Sequence, residues 1–235
     1  MIYISTVFLD WDETLCDFRI SERNAIYEAL GSVGIYADED MYRRYSQINE
    51  SFWRRFEAGE ISKPEIMRRR FEQFFAEFGY DIDPQRFNAL YLEMLSRQVP
   101  LIPGAESLCR ALSDRYAVYI TTNGDDRGQR RRIAASGLSR YFRGIFTSEG
   151  AGAGKPDAKY WNYVFGHIGE RDRSRMIVAG DSQTSDIRSG TDMGMHTCWI
   201  NLRGAARSSE PEFEARSLSQ AEDILCGGSL IRPCV

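Results

Sequence analysis

The sequence predicts an α/β fold, a Rossmann-like parallel sheet core with an inserted α-helical cap. Two observations carry this expectation. Apolar, β-branched runs alternate with helical patterns near the N-terminus and through the second half of the chain. Residues 17–98 hold no convincing strand, only helical periodicity rich in Arg, Glu, Phe and Tyr.

Taken in order, residues 3–9 (YISTVFL) read as a buried strand that stops at Asp10. Further runs follow at Tyr116–Thr121, Met176–Ala179 and Thr197–Ile200, with a weaker one at Gly144–Thr147. Helical patterns open after Pro103-Gly104, span about 126–137, start near Pro156 and cover about 184–193. Strand and helix in alternation imply right-handed crossovers and a parallel sheet, whose ligands bind at the carboxyl ends of the strands. Within 17–98 four helices are expected, at about 21–34, 38–58, 63–78 and 84–97. Ser62-Lys63-Pro64-Glu65 reads as a capping box, Asp83-Pro84 opens the last helix in the same way, and Gly59 and Gly79 mark breaks. The expected domains are residues 1–16 with 99–235 as core, and 17–98 as cap. Hinges are expected near 16–20 and 98–103, and a frayed tail from Gly227 to Val235.

Composition removes several classes of function. The chain has 235 residues, 43% of them hydrophobic and 27% charged, which is an ordinary globular composition. A net charge of −4 supplies no basic field for a nucleic acid polymer. No run of about 18 apolar residues suggests a membrane span. The N-terminal apolar stretch has no basic flank and meets Asp10 almost at once, unlike a secretory leader. Five scattered cysteines form no CxxC pair, so a reducing, cytoplasmic setting is expected, for a monomer or small homo-oligomer. The two histidines, His167 and His196, are too few for a three-histidine metal site and read as packing or surface residues. Of the 30 Lys and Arg residues only Lys63, Lys155 and Lys159 are lysine, so Lys155 in a Gly-Pro loop draws notice.

Four pieces fall where strands should end: Asp10-Trp11-Asp12-Glu13-Thr14, Thr122-Asn123-Gly124, Lys155-Pro156, and Gly180-Asp181 with Asp186 five residues on. Each alone reads most simply as a turn or a cap. Together they match the needs of phosphate monoester hydrolysis, which is extremely slow in water. A carboxylate nucleophile, Asp10, divides the reaction into two easier steps. Asp12 protonates the leaving oxygen and then activates water. Clustered carboxylates repel one another and an anionic substrate, and Mg²⁺, with its preference for oxygen ligands, answers both problems. Asp10 and Asp181, with the backbone carbonyl of Asp12, are the expected metal ligands, and Asp186 is expected to orient them. Thr122 and the Asn123 backbone donate to phosphate, and Lys155 supplies a point charge.

These four motifs resemble those of the haloacid dehalogenase superfamily, across residues 1–16 and about 99–204, and the insertion is similar to its helical C1 cap. The resemblance implies the roles just given, position by position. It also argues against dehalogenation, because dehalogenases lack the second carboxylate found here as Asp12. A closer similarity lies in YSQINESFWRRFEAGEISKPEIMRRRF (45–71), PGAESLCRAL (103–112) and CWIN (198–201), which resemble the bacterial pyrimidine 5′-nucleotidases. This implies a nucleoside monophosphate as the small phosphorylated metabolite. A phosphatase or phosphomutase for phosphoglycolate or a sugar phosphate is the alternative, and a non-catalytic binding module a third reading.

In the cap, Asn49, Trp53, Arg70 and Phe71 are candidates to bind a base, by hydrogen bonding and stacking. A Trp or Phe at helical spacing is also ordinary core. Arg130–Arg132 reads as a solvent-facing stretch of a core helix, and Cys16 as an inert buried thiol. The glycine-rich loop from Glu149 departs from the subgroup pattern, and Trp11 is expected to face away from the metal.

Overall fold

The computed structural model describes residues 2–228 and 231–233. The chain divides into two compact units, Met1–Asp17 with Leu101–Val235, and Phe18–Pro100.

The first unit opens with β1 (Ile2–Ile4) and β2 (Thr6–Leu9). The second unit then supplies α1 (Phe18–Ser32), α2 (Glu39–Glu57), α3 (Lys63–Phe78) and α4 (Pro84–Leu95). The first unit resumes with α5 (Ala105–Ser113), β3 (Ala117–Thr122), α6 (Asp126–Ala135), β4 (Gly144–Thr147), the single turn α7 (Ser148–Ala151) and α8 (Ala158–His167). It ends with β5 (Met176–Gly180), α9 (Arg188–Met193), β6 (His196–Ile200), β7 (Phe213–Ala215), α10 (Leu218–Cys226) and β8 (Ile231–Pro233).

Six strands form one parallel sheet in the order β4-β3-β2-β5-β6-β7. The chain winds outward from β2 in one direction through β3 and β4, then returns to its other side with β5. A crevice at such a reversal is where open parallel sheets bind ligands. Register sets the level of the loops there. Leu9 lies opposite both Ile120 and Ala179, so Asp10, Thr121 and Gly180 sit one step further along the same edge. Every residue of β2 and β5 is buried, which explains their continuous apolar runs. On one face, α8 sets Tyr160, Trp161, Val164 and Phe165 against Phe8 and Val178, with the Trp161 ring edge-on to Phe8 at 5.2 Å.

Two sequence expectations change. The run 3–9 is not one strand. It breaks at Ser5, whose hydroxyl donates to Glu170 at 2.6 Å, and β1 turns away to pair with β8. The tail is correspondingly not frayed at Ile231–Pro233. Ser229, Leu230, Cys234 and Val235, also within the expected frayed tail, lie outside the described residues.

In the helical unit α1 packs on α4 and α2 on α3. Asp38 caps α2 by accepting from Met41 N at 2.8 Å. Glu65 accepts from both the amide and the hydroxyl of Ser62 at 2.8 Å, which closes the start of α3. Tyr45, Phe71, Phe74, Phe75, Phe87 and Tyr91 form the aromatic interior. The Arg70 guanidinium sits 5.0 Å from the centroids of both the Phe71 and Tyr91 rings, so its charge is held over two π faces.

Candidate active site

β2 delivers Asp10 to the sheet edge, where its amide donates to Ala179 O at 3.0 Å. β5 ends at Gly180 and hands the chain to Asp181. The Asp181 amide donates to Thr14 Oγ1 at 3.1 Å and its carbonyl accepts from Trp199 Nε1 at 2.8 Å, so both backbone groups are fixed. Asp186 follows in a π-helical turn, Gln183–Ile187, ahead of α9. That turn folds the Asp186 carboxylate back over Gly180. A side chain at Gly180 would place its Cβ 2.2 Å from Asp186 Oδ2, so only glycine fits.

Asp10, Asp181 and Asp186 each offer a carboxylate oxygen, and these lie within 4.8 Å of one another. Lys155, from the loop between α7 and α8, is 2% exposed. Its ammonium donates to Asp10 Oδ1 at 2.8 Å, Asp186 Oδ1 at 2.6 Å and Thr121 O at 2.7 Å, using all three protons. Asn123 holds that loop in place through a reciprocal pair. Its side-chain amide donates to Lys155 O at 3.0 Å, and its oxygen accepts from Lys155 N at 2.8 Å.

The electrostatics are those of three crowded carboxylates against one ammonium. Burial, only partly offset by Lys155, pushes the Asp10 carboxyl up to about 7. Burial, with the charges of Asp10 and Asp186, holds Asp181 well above the usual carboxylate range. Burial works against the Lys155 charge, but Asp10 and Asp186 outweigh it and keep the ammonium protonated beyond its ordinary range. An all-oxygen, net-negative cluster of this kind fits a hard divalent cation.

Asp12 faces elsewhere. Its Oδ1 accepts from Arg132 Nη1 at 2.7 Å and its Oδ2 from Gln129 Nε2 at 2.7 Å. Gln129 Nε2 also donates to Thr122 Oγ1 at 2.8 Å, and Gly124 N donates to the same oxygen at 3.1 Å. With both lone pairs engaged, the Thr122 hydroxyl directs its proton outward as a donor. The expectation that Arg130–Arg132 faces solvent fails at Arg132. Arg130 and Arg131 are exposed, but Arg132 is 1% exposed because it shares the inward face of α6 with Gln129 and Ile133. Gln129 and Arg132 were missed by sequence reasoning. Gln129 lies one helical turn before the apolar Ile133, which puts it on the same face, whereas nothing local separates Arg132 from the two arginines before it.

The cap candidates lie in the helical unit. Asn49 and Arg70 are each 2% exposed and bonded to one another at 2.8 Å. Asn49 Nδ2 donates to Glu22 at 2.7 Å and Arg70 Nη2 to Asn88 at 2.7 Å. Phe71 is fully buried, stacked on Tyr45 at 5.2 Å. Trp53 is half-buried, edge-on to Phe56. Trp11 is buried, as is Cys16. His167 bonds Tyr163 O, and His196 bonds Glu212 and Ser174 O.

A family model of haloacid dehalogenase-like hydrolases matches residues 4–194. The crystal structure of the HAD-hydrolase YfnB from Bacillus subtilis, bound to magnesium, superposes with a TM-score of 0.90 at 33% identity, covering 94% of this chain and 98% of that one. The pyrimidine 5′-nucleotidase PynA of Streptococcus pneumoniae is 32% identical over 228 residues, 95% of this chain and 96% of its own length. The pyrimidine 5′-nucleotidase YjjG of Escherichia coli is 28% identical over 222 residues, 94% and 97% of the two chains. The chain belongs to the haloacid dehalogenase-like hydrolase family. It is an enzyme with the family's parallel-sheet core. Among the described residues no helix is long and apolar enough to cross a membrane.

Proposed function

We propose that this enzyme hydrolyses a nucleoside 5′-monophosphate, with a preference for pyrimidines, through a phosphoryl group carried on Asp10. By class it is a phosphoric monoester hydrolase. The observation that carries the reading is the pair of carboxylates on one loop. Asp10 faces Lys155 and the acidic cluster, while Asp12, two residues on, is held apart from that cluster by Gln129 and Arg132. The substrate preference is supported by the similarity to PynA and YjjG over nearly the whole chain, cap segment included.

In this reading Asp10 attacks phosphorus while Asp12 gives its proton to the departing oxygen. The Thr122 hydroxyl and the Asn123 amide hold the phosphoryl oxygens, and Lys155 supplies a point charge that balances the charge gathering there. Water then attacks the acyl phosphate, and Asp12 takes up its proton. Asp10, Asp181 and the backbone carbonyl of Asp12 would hold Mg²⁺, with Asp186 fixed in support by Lys155. Bound Mg²⁺ would draw charge from the phosphoryl oxygens and offset repulsion among the carboxylates. In the cap, Trp53 keeps ring surface for a base. Asn49 and Arg70, committed to Glu22 and Asn88, brace the helices around it.

Phosphate release from a panel of nucleoside monophosphates and small phosphate esters tests the reading. Release strongest on UMP or dTMP with Mg²⁺, and lost in EDTA, is expected. Strongest release on another ester would discard the nucleotidase assignment and keep the mechanism.

The raised carboxyls give a second expectation. Without metal, the folded protein keeps a proton on Asp10 that the unfolded chain releases near its ordinary value of 3.8. The folded state therefore binds more protons between there and about 7, so metal-free stability falls as pH rises across that window. Asp181 acts in the same direction. Mg²⁺ must displace these protons at low pH and relieves bare repulsion at high pH. The Mg²⁺-induced rise in Tm should be larger at about pH 7.5 than at about pH 5.5. An equal rise at both values would count against the cluster as the metal site.

A further inference from the structure

We infer that Arg132 and Gln129 are positioning residues that set the plane of the Asp12 carboxylate and couple it to the phosphate-binding hydroxyl of Thr122. The inference rests on Asp12 as the proton-transfer group.

Three side chains, Arg132, Gln129 and Asp12, form a closed ring, and Gln129 extends it to Thr122. Arg132 Nη1 donates to Asp12 Oδ1 at 2.7 Å and to Gln129 Oε1 at 2.9 Å. Gln129 Nε2 donates to Asp12 Oδ2 at 2.7 Å and to Thr122 Oγ1 at 2.8 Å. Arg132 Nη2 reaches Cys16 Sγ at 3.2 Å, which ties the guanidinium to the far end of the loop that bears Asp12. One donor would let the carboxylate turn about its Cβ–Cγ bond. Two donors on different oxygens hold its plane, and the rigid fork of Arg132 permits one orientation.

The burial pattern matches this use. The Arg132 side chain is 2% exposed and Asp12 25%, so the clamp is inside and the carboxylate remains accessible at the loop. Gln129 is 3% exposed. Gly124 makes room for it, because a Cβ there would lie 2.3 Å from Gln129 Nε2 and 2.6 Å from Cδ. The Gly of Thr122-Asn123-Gly124 therefore admits the glutamine that reaches both Asp12 and Thr122.

The two steps use Asp12 differently, which gives the test. In the first, a bond forms between Asp10 and phosphorus, the bond to the leaving oxygen breaks, and Asp12 supplies the proton. In the second, water oxygen bonds to phosphorus, the Asp10–phosphorus bond breaks, and the water proton returns to Asp12. With 4-nitrophenyl phosphate the leaving phenolate needs no proton, so only the second step calls on Asp12.

Rapid mixing of 4-nitrophenyl phosphate and Mg²⁺ with Arg132→Met and Gln129→Glu should give a burst of about one phenolate per site, followed by turnover roughly 10- to 100-fold below wild type. Gln129→Glu is nearly isosteric and removes the donor to Asp12 and Thr122, so it decides the matter if Arg132→Met does not fold. Loss of active protein alone would lower burst and turnover together. That result, or unchanged turnover, would overturn the inference. Asp12→Asn is run alongside. If it too lacks the burst and slow phase, the reading of Asp12 fails and the inference with it. If it shows them and the two clamp variants do not, the inference alone fails.

Discussion

Asp10→Asn should abolish turnover, with a loss on the order of 10⁴-fold or more, as expected when a nucleophile is removed. The amide is close in shape to the carboxylate and can still accept from Lys155, so the fold should persist. It cannot displace an alkoxide from phosphorus. Removing one charge from the cluster also relieves the repulsion that raises Asp181. The metal-free variant should therefore unfold at a temperature no lower than wild type, while its Mg²⁺-induced rise in Tm shrinks. A steady-state assay with circular dichroism on the same sample checks both. Residual activity within about tenfold of wild type would remove Asp10 from the chemistry, since nucleophile loss costs far more than that.

The second large effect belongs to Asp12→Asn. On a nucleoside monophosphate, whose alkoxide leaves poorly without a proton, turnover should fall roughly 10²- to 10⁴-fold, the usual worth of a general acid–base. The Mg²⁺-induced rise in Tm should be nearly unchanged, because the proposed metal contact of Asp12 is its backbone carbonyl and its carboxylate points to Gln129 and Arg132. Asp10 and Asp12 variants thus separate by metal response as well as by rate. Equal loss of the Mg²⁺ response in both would place the Asp12 carboxylate in the metal site instead.

Much of the core was legible in the sequence because its signals are local. β2 and β5, buried on both faces, read as continuous apolar runs, and the motif residues Asp10 and Asp181 follow directly after them. Two of the four helices in the second unit, α3 and α4, announce themselves through Ser62 and Asp83 at their starts. What was not legible depends on contacts distant in sequence. β1 and β8 pair across more than two hundred residues, and β7 is only three residues long. Arg132 lies in a row of three arginines, and nothing local distinguishes it from Arg130 and Arg131. Its role follows from which side of α6 the packing of Ile133 turns inward. Asn49 and Arg70 show the same limit in the cap. Their bonds to Glu22 and Asn88, on other helices, have no local signal in the sequence.

The most direct test of the account is to trap the phosphorylated carboxylate. The enzyme is mixed with substrate and Mg²⁺, quenched in acid, reduced with borohydride and mapped by mass spectrometry. An acyl phosphate on Asp10 would be converted to homoserine at that position alone, and Asp10→Asn would show none. An unmodified Asp10 in enzyme quenched during turnover, or reduction at another carboxylate, would contradict the central claim.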